Sequence, residues 1–348
     1  MKLISKKKAI YSVNDRFKEY LNDFDRYVKL PIEYEDLLRY DESISYYDNS
    51  GEDTLWLTVF YYGSDQKRIN DALIETYAII RSDGNTSVME HLIVDRVDLC
   101  SYGNTRPFRV RILNTLNENF DYFYVKKADA SRVYGLELEH LLSPNRITFF
   151  VYNDTLIEEH ISGIPGDKFI KHYLKDRHLD GVRLAKEFVK FNERCFLRLL
   201  GDMHSSNYVV DITPDFEETI YRIRSIDFDQ QSYEGKKKVY LPQYFKENNP
   251  IIFLGIKMMT PETVLQYQHE ERSLIHKRIL SAKDQLDYLL HVMAEDRIAP
   301  TENVRELSDE LNMHYKTDRF NSCLSMGDVV RESLNTLNNY EYVSTFAL

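Results

Sequence analysis

Carboxylate and amide side chains are concentrated in two short segments of the chain, each next to an apolar, strand-like run. Asp202 and Asn207 stand five positions apart after a helical apolar pattern, and Asp227 opens the second segment about twenty positions later. Phosphoryl transfer needs a carboxylate that accepts the proton of the attacking hydroxyl, and oxygen ligands for Mg²⁺. The spacing therefore makes Asp202 a candidate base and makes Asn207 and Asp227 candidate Mg²⁺ ligands.

The same residue types also occur at ordinary turns, which is the alternative reading of each segment. Asp and Asn are favoured in turns after helices, so Asp202 and Asn207 alone would be explained in that way. Asp227, in register after a second apolar run, favours a site over two unrelated turns. His204 has two readings as well: a hydrogen-bonding scaffold for the loop or a group near a phosphate.

A longer pattern runs through both segments. Gly201-Asp202-x-His204-x-x-Asn207, followed by Ile226-Asp227-Phe228-Asp229, resembles the catalytic and metal-binding loops of the aminoglycoside phosphotransferase and choline kinase group. That group belongs to the protein-kinase-like superfamily. The resemblance implies a two-lobed α+β fold with ATP in the cleft. It also implies a role for each matched residue: Asp202 as catalytic base, His204 near the γ-phosphate, and Asn207 and Asp227 as Mg²⁺ ligands.

Two adjacent lysines end a strand-like run, Tyr122–Lys127, which resembles the strand that carries the ATP-phosphate lysine. Side chains alternate across a strand, so Lys126 and Lys127 point to opposite faces. An apolar face that ends in Lys127 favours the second lysine, whereas the motif register favours Lys126. We follow the motif and expect Lys126 to pair with the helix residue Glu137, or with Glu139 as the alternative, and Lys127 to point away.

A hinge-like segment follows in Thr155–Gly163, whose backbone the resemblance brings to adenine at Glu159 and His160. Two features depart from the family. The first hairpin has no G-x-G-x-x-G, since Ser101–Asn104 contains a single glycine, and Asp229 stands where protein kinases have glycine. The first departure favours a nucleotide-binding module over an enzyme, and the second argues against a eukaryotic-type protein kinase.

The order of the elements predicts a strand-rich first part and a helical second part. Apolar spacing predicts helices at 67–81, 130–142 and 181–200, and strands at 54–62, 90–100, 108–113, 121–128, 147–151 and 156–160. Such an order is typical of an α+β protein with two lobes. We expect an N-terminal extension at 1–88, a kinase-like N-lobe at 89–162 and a helical C-lobe at 163–348.

Composition limits the classes of binding partner and the cellular compartment that we expect for this protein. The net charge of -11 disfavours nucleic acid as a partner, because phosphate neutralisation supplies most of that affinity. No apolar run is long enough to cross a bilayer, and the N-terminus lacks the apolar stretch of a secretory signal. The cysteines, Cys100, Cys195 and Cys323, form no CxxC pair and favour a reducing compartment. We therefore expect a cytoplasmic protein with no membrane partner.

These observations favour an ATP- and Mg²⁺-dependent phosphotransferase that acts on a hydroxyl of a small molecule or, with less support, of a protein. Two alternatives stay open. One is a catalytically weak, kinase-like nucleotide-binding sensor or scaffold, because fold does not fix function. The other is an enzyme that transfers AMP with ATP in a different pose. The sequence specifies neither the acceptor nor the oligomeric state.

Overall fold

A computed structural model describes residues 8–48, 51–82, 86–102, 105–215 and 219–338. The chain divides into two compact units. We call residues 12–130 and 147–160 the sheet unit, and residues 8–11, 131–146 and 161–338 the helical unit. The predicted break at 83–85 and residues 103–104 of the first hairpin lie outside the described residues.

The sheet unit is built on a seven-stranded sheet in the order β1-β2-β3-β4-β5-β7-β6, with every neighbouring pair of these strands antiparallel. The strands are β1 (Glu42–Tyr47), β2 (Asp53–Phe60), β3 (Leu92–Cys100), β4 (Phe108–Asn114), β5 (Phe120–Lys127), β6 (Phe149–Tyr152) and β7 (Thr155–Glu159). Its helices are α1 (Asp15–Asp23), α2 (Tyr34–Leu37) and α3 (Gly63–Ser82).

One face of this sheet is closed by α3. Ile69 and Leu73 of α3 share a buried cluster with Phe123 and Val125 of β5. Each fully buried side chain of this kind stabilises the fold by about 1.5–3 kcal/mol. The helix predicted at 67–81 lies within α3, and the alternation predicted for β5 has its apolar side against that helix.

The described residues of 12–88 do not form a separate unit. Strand β2 pairs with β3 through the register Trp56↔Cys100, Leu57↔Leu99 and Thr58↔Asp98. Backbone hydrogen bonding thereby continues across the boundary predicted at residue 88, which falls inside the sheet unit. The described part of the predicted extension supplies two strands and the covering helix of one sheet.

The helical unit contains the remaining helices and a small second sheet. Its helices are α4 (Ala130–Leu142, with Ala130 itself in the sheet unit), α5 (Gly166–His172), α6 (Gly181–Arg198), α7 (Asn249–Met258), α8 (Pro261–Ser281), α9 (Lys283–Glu295), α10 (Thr301–Tyr315) and α11 (Met326–Asn335). Its strands, in the order β10-β9-β8, are β8 (Ile164–Pro165), β9 (Tyr208–Pro214) and β10 (Thr219–Ser225). Among the described helices, none combines the length and apolarity that crossing a bilayer requires.

Helix α6 is the centre of the helical unit. Leu184, Phe188, Phe191 and Cys195 are all buried, as their predicted stripe requires. Asp180 caps the helix, since its carboxylate accepts the backbone N–H of Arg183 at 3.0 Å. The stripe therefore fixes α6 in the core, and the chain leaves it directly into the segment that carries Asp202.

Helix α4 has the predicted bounds but clusters with the helical unit, although the sequence grouped it with the strands at 89–162. A buried ion pair to α6 links α4 to the helical unit. Glu139, almost completely buried, pairs with the equally buried Arg198 of α6. Burial opposes ionisation of Glu139, but the guanidinium of Arg198, the hydrogen bond from Ser143 and the charge of Arg194 together lower the pKa of the carboxyl group. Glu139 is thus committed to a structural pair.

Without the Glu139–Arg198 pair, the protein should unfold at a lower urea concentration. Glu139→Ala leaves Arg198 as an unpaired buried charge, which costs about 3–5 kcal/mol. The double change Glu139→Leu with Arg198→Met removes both charges at similar volume and should recover most of the loss. Urea denaturation monitored by circular dichroism gives both values. A single variant as stable as the original chain would show that the pair contributes nothing.

Candidate functional site

Two loops of the helical unit are held side by side by backbone hydrogen bonds. At one end, Gly201 N–H donates to the carbonyl of Gln230 at 3.1 Å, and Ser232 N–H donates to the carbonyl of Leu199 at 2.8 Å. At the other end, Ile226 N–H donates to the carbonyl of Asn207 at 3.0 Å. The segments that carry Asp202 and Asp227 are therefore fixed against each other. The sequence spacing suggested that they belong to one site but did not identify these hydrogen bonds.

The first loop turns sharply between α6 and β9. Leu199 and Asp202 both have left-handed backbone conformations, with φ of 55° and 62°. Gly201 lies between them, and a Cβ there would approach Cγ1 of Val239 to 2.9 Å and the Gln230 carbonyl to 3.0 Å. The glycine is thus required by close packing, and Asp202 adopts a conformation that Asp tolerates better than most residues.

Asn207 closes this loop from the other side. Its Nδ2 donates to the backbone carbonyl of Asp202 at 2.8 Å, and its N–H donates to the carbonyl of His204 at 2.9 Å. Asn207 directly precedes β9, and β9 pairs with β10 so that Tyr208 faces Ser225. The hairpin therefore brings Asn207 beside the Ile226–Asp229 segment that follows β10.

Asp227 has one oxygen occupied by the protein. Its Oδ1 accepts Nη1 of Arg132 at 2.8 Å and the backbone N–H of Asp229 at 2.9 Å. The same Nη1 also donates to Oδ1 of Asp229 at 2.8 Å. Arg132 is 2% exposed, so this charge is part of the core. Sequence reasoning missed Arg132, which stands 95 positions before Asp227 in the sequence.

The oxygens left over suit a small hard cation. Within the described ranges, Oδ2 of Asp227 and Oδ1 of Asn207 have no hydrogen-bond partner. The described residues contain no cluster of three or more His, Cys, Asp or Glu side chains able to hold a metal. Mg²⁺ commonly binds through one or two protein oxygens and completes its shell with water and phosphate, so these two residues fit it.

Asp202 lies in an environment that resists its ionisation. Burial, followed by the negative charges of Asp227 and Glu234, raises the pKa of Asp202 to about 7. His204 lies close by, with its Nε2 4.0 Å from Oδ1 of Asp202. Its Nδ1 accepts the N–H of Ser206 at 3.3 Å, which assigns the ring proton to Nε2 in the neutral form. Burial lowers the pKa of His204, so the neutral ring is favoured.

The residues predicted to bind ATP in the sheet unit have partners within that unit. Lys126 is buried on the face opposite Phe123 and Val125, and its Nζ lies 2.8 Å from Oε2 of Glu158 and 5.2 Å from the ring of Tyr124. Lys127 shares the side of β5 that packs against α3.

The hinge residues also have partners in the sheet unit. Glu159 accepts the N–H of Thr148 at 2.9 Å through its Oε1, and Nδ1 of His160 lies 3.2 Å from the hydroxyl of Tyr124. Glu137 is buried in the helical unit. Its pairing with Lys126 stays a prediction.

Comparison with known proteins does not assign a family. No protein-family model matches the chain, and no curated protein matches it. Among solved structures, the chain is similar to "Titin kinase and its flanking domains" at 12% identity and a TM-score of 0.25. The match covers 69% of this chain and 46% of that one, so this chain spans less than half of its length. The resemblance to the aminoglycoside phosphotransferase and choline kinase group stays a prediction.

The raised pKa of Asp202 has a consequence for stability against pH. The folded state keeps the proton up to about pH 7, against 3.8 for the ordinary group, so folding stability falls as pH rises between those values. Asp202→Asn removes the ionisation and keeps an amide that tolerates a positive φ. Its stability advantage should be near zero at pH 4 and grow to at most about 4 kcal/mol above pH 7. Urea denaturation across this range tests it, and a difference that does not change with pH would contradict it.

Proposed function

We propose that the protein is an ATP- and Mg²⁺-dependent phosphotransferase that transfers the γ-phosphate to a hydroxyl of a small molecule or, with less support, of a protein. The observation that supports it best is the short loop shared by Asp202 and Asn207. Asp202 has a pKa of about 7, and Asn207 is hydrogen-bonded to the segment that carries Asp227. The proposed proton acceptor and the two proposed oxygen ligands thus lie on one hydrogen-bonded pair of loops.

Asp202 is the base in the proposed reaction. The acceptor hydroxyl gives its proton to the carboxylate, its oxygen bonds to the γ-phosphorus, and the bond from that phosphorus to the bridging oxygen breaks, which releases ADP. General bases work best when their pKa lies near the operating pH, because they are then both ionised and basic. A pKa of about 7 meets this condition at neutral pH.

Asn207 and Asp227 would hold the metal ion. Bound Mg²⁺ supplies positive charge that neutralises the phosphates as charge develops during transfer. His204, neutral and protonated on Nε2, would donate a hydrogen bond close to Asp202 and orient either that carboxylate or a phosphate oxygen. The ATP contacts of Lys126 and of Glu137, Glu159 and His160 rest on the family resemblance. The proposed cytoplasmic location rests on the cysteine spacing and the apolar pattern of the sequence.

A second candidate is a binding module without turnover, and one observation favours it. Arg132 pairs with both Asp227 and Asp229 through its Nη1, at 2.8 Å from each carboxylate, and offsets one of their two negative charges. A cation already present on a metal ligand weakens the attraction for a second cation. If this effect dominates, the site would bind nucleotide weakly or serve as a scaffold.

The first test separates chemistry from binding. Asp202→Asn should reduce ATP turnover by roughly 10²–10⁴-fold, the usual loss when an oriented base is removed, while Mg-ATP affinity is retained. Release of ADP in the presence of pooled amino sugars, amino alcohols and protein substrates measures turnover, and Asp211→Asn on β9 is the matched control. Turnover that persists within about threefold would move the base elsewhere, since that is far below the expected loss. No turnover by the original chain would favour the binding module.

The second test concerns the metal ligand. Asp227→Asn removes a charged oxygen ligand and should weaken Mg-ATP binding by about tenfold or more, equivalent to at least ~1.4 kcal/mol. Isothermal calorimetry measures the affinity, and circular dichroism verifies the fold. Asp211→Asn again serves as the control and should keep the original affinity. Unchanged Mg-ATP affinity in a folded Asp227→Asn variant would rule out this ligand.

A further inference from the structure

The first turns of α4 contact the segment that follows β10 at several residues. Ser131 Oγ donates to the carbonyl of Gln231 at 2.5 Å, and Nη2 of Arg132 donates to the carbonyl of Ile226 at 3.3 Å. A Cβ on Gly135 would approach Cβ of Phe228 to 3.1 Å. Helix α4 is therefore packed closely against this segment on both sides of Arg132.

The charge of Arg132 is permanent, because a guanidinium does not lose its proton in proteins. It bridges two carboxylates, those of Asp227 and Asp229, with a single nitrogen. A divalent metal ion such as Mg²⁺ is likewise held in proteins through one or two carboxylates. Arg132 thus supplies the positive charge that a second cation would otherwise bring to the two carboxylates.

The hydrogen bonds of Asp227 set how many ions it can serve. Its Oδ1 already accepts two donors, from Arg132 and from the Asp229 backbone, which uses both lone pairs of that oxygen. Only Oδ2 remains, so Asp227 can ligate one ion through one oxygen. Asn207 contributes at most its Oδ1, because Nδ2 is a donor that is committed to the Asp202 carbonyl.

We propose that Arg132 is a built-in cation that replaces a second metal ion, so that the site takes a single divalent cation, which Asp227 and Asn207 would hold. This inference rests on the proposed function and specifies its metal stoichiometry. Arg132 acts through Asp227 and Asp229 and is a positioning residue. It leaves the three side chains with a net charge of -1 before the ion binds.

The test counts ions on the full chain without nucleotide, with Mn²⁺ as the probe. Electron paramagnetic resonance of free Mn²⁺ gives the number bound per chain. The original chain should bind one ion. Arg132→Gln removes the positive charge beside Asp227 and Asp229 and should bind two, whereas Arg132→Lys keeps a positive charge and should bind one.

A third variant decides the matter if Arg132→Gln does not fold. Asp229→Asn removes a partner of Arg132 that is not a ligand in this proposal, so it should still bind one Mn²⁺. Two ions on the original chain, one ion on folded Arg132→Gln, or loss of the ion in folded Asp229→Asn would each overturn the inference.

The outcomes also distinguish this inference from the proposed function. Two ions on the original chain, together with ATP turnover, would remove the single-ion inference and leave the phosphotransferase standing. Binding of Mn²⁺ by Arg132→Gln alone, with none on the original chain, would overturn both. That result would make Arg132 the permanent occupant of the cation position and favour the binding module.

Discussion

One guanidinium joins the parts of the helical unit that carry the candidate chemistry. Arg132 leaves the first turn of α4 and binds Asp227, Asp229 and the Ile226 carbonyl. The next backbone bond, from Ile226 to Asn207, extends the connection to the loop that contains Asp202. The second of the two loops is thus bound by a charge that comes from a third segment, nearly a hundred positions away in sequence.

The same charge offsets only part of the acidic environment around Asp202. The groups that raise the pKa of Asp202, after burial itself, are all carboxylates: Asp227, Glu234, Glu247 and Asp229. Arg132 offsets part of that negative charge at Asp227 and Asp229 but leaves Asp202 in a net acidic environment. A pKa near neutrality is therefore a product of the surroundings of Asp202, and not of one neighbour.

The sequence predicted most helices and strands but not the contacts between residues that are distant in sequence. The bounds of α4 and the buried stripe of α6 follow from apolar spacing, because burial of one face imposes that spacing. The loops after α6 and β10 could be paired only through their residue types. Arg132 was missed because a lone arginine in an apolar helix has no local feature that identifies its partner. The described residues of 12–82 belong to the sheet unit because β2 pairs with β3. Alternation within each strand does not encode that register.

The pairing of β2 with β3 has a consequence for any fragment of this protein. A polypeptide that began at residue 89 would lack the strand opposite Asp98, Leu99 and Cys100, and their backbone groups would lose those partners. Asp98, which is completely buried, would also lose the hydroxyl of Thr58 at 2.8 Å. An uncovered sheet edge of this kind templates pairing with other chains. Such a fragment would be prone to edge-to-edge aggregation rather than being an independently folding lobe.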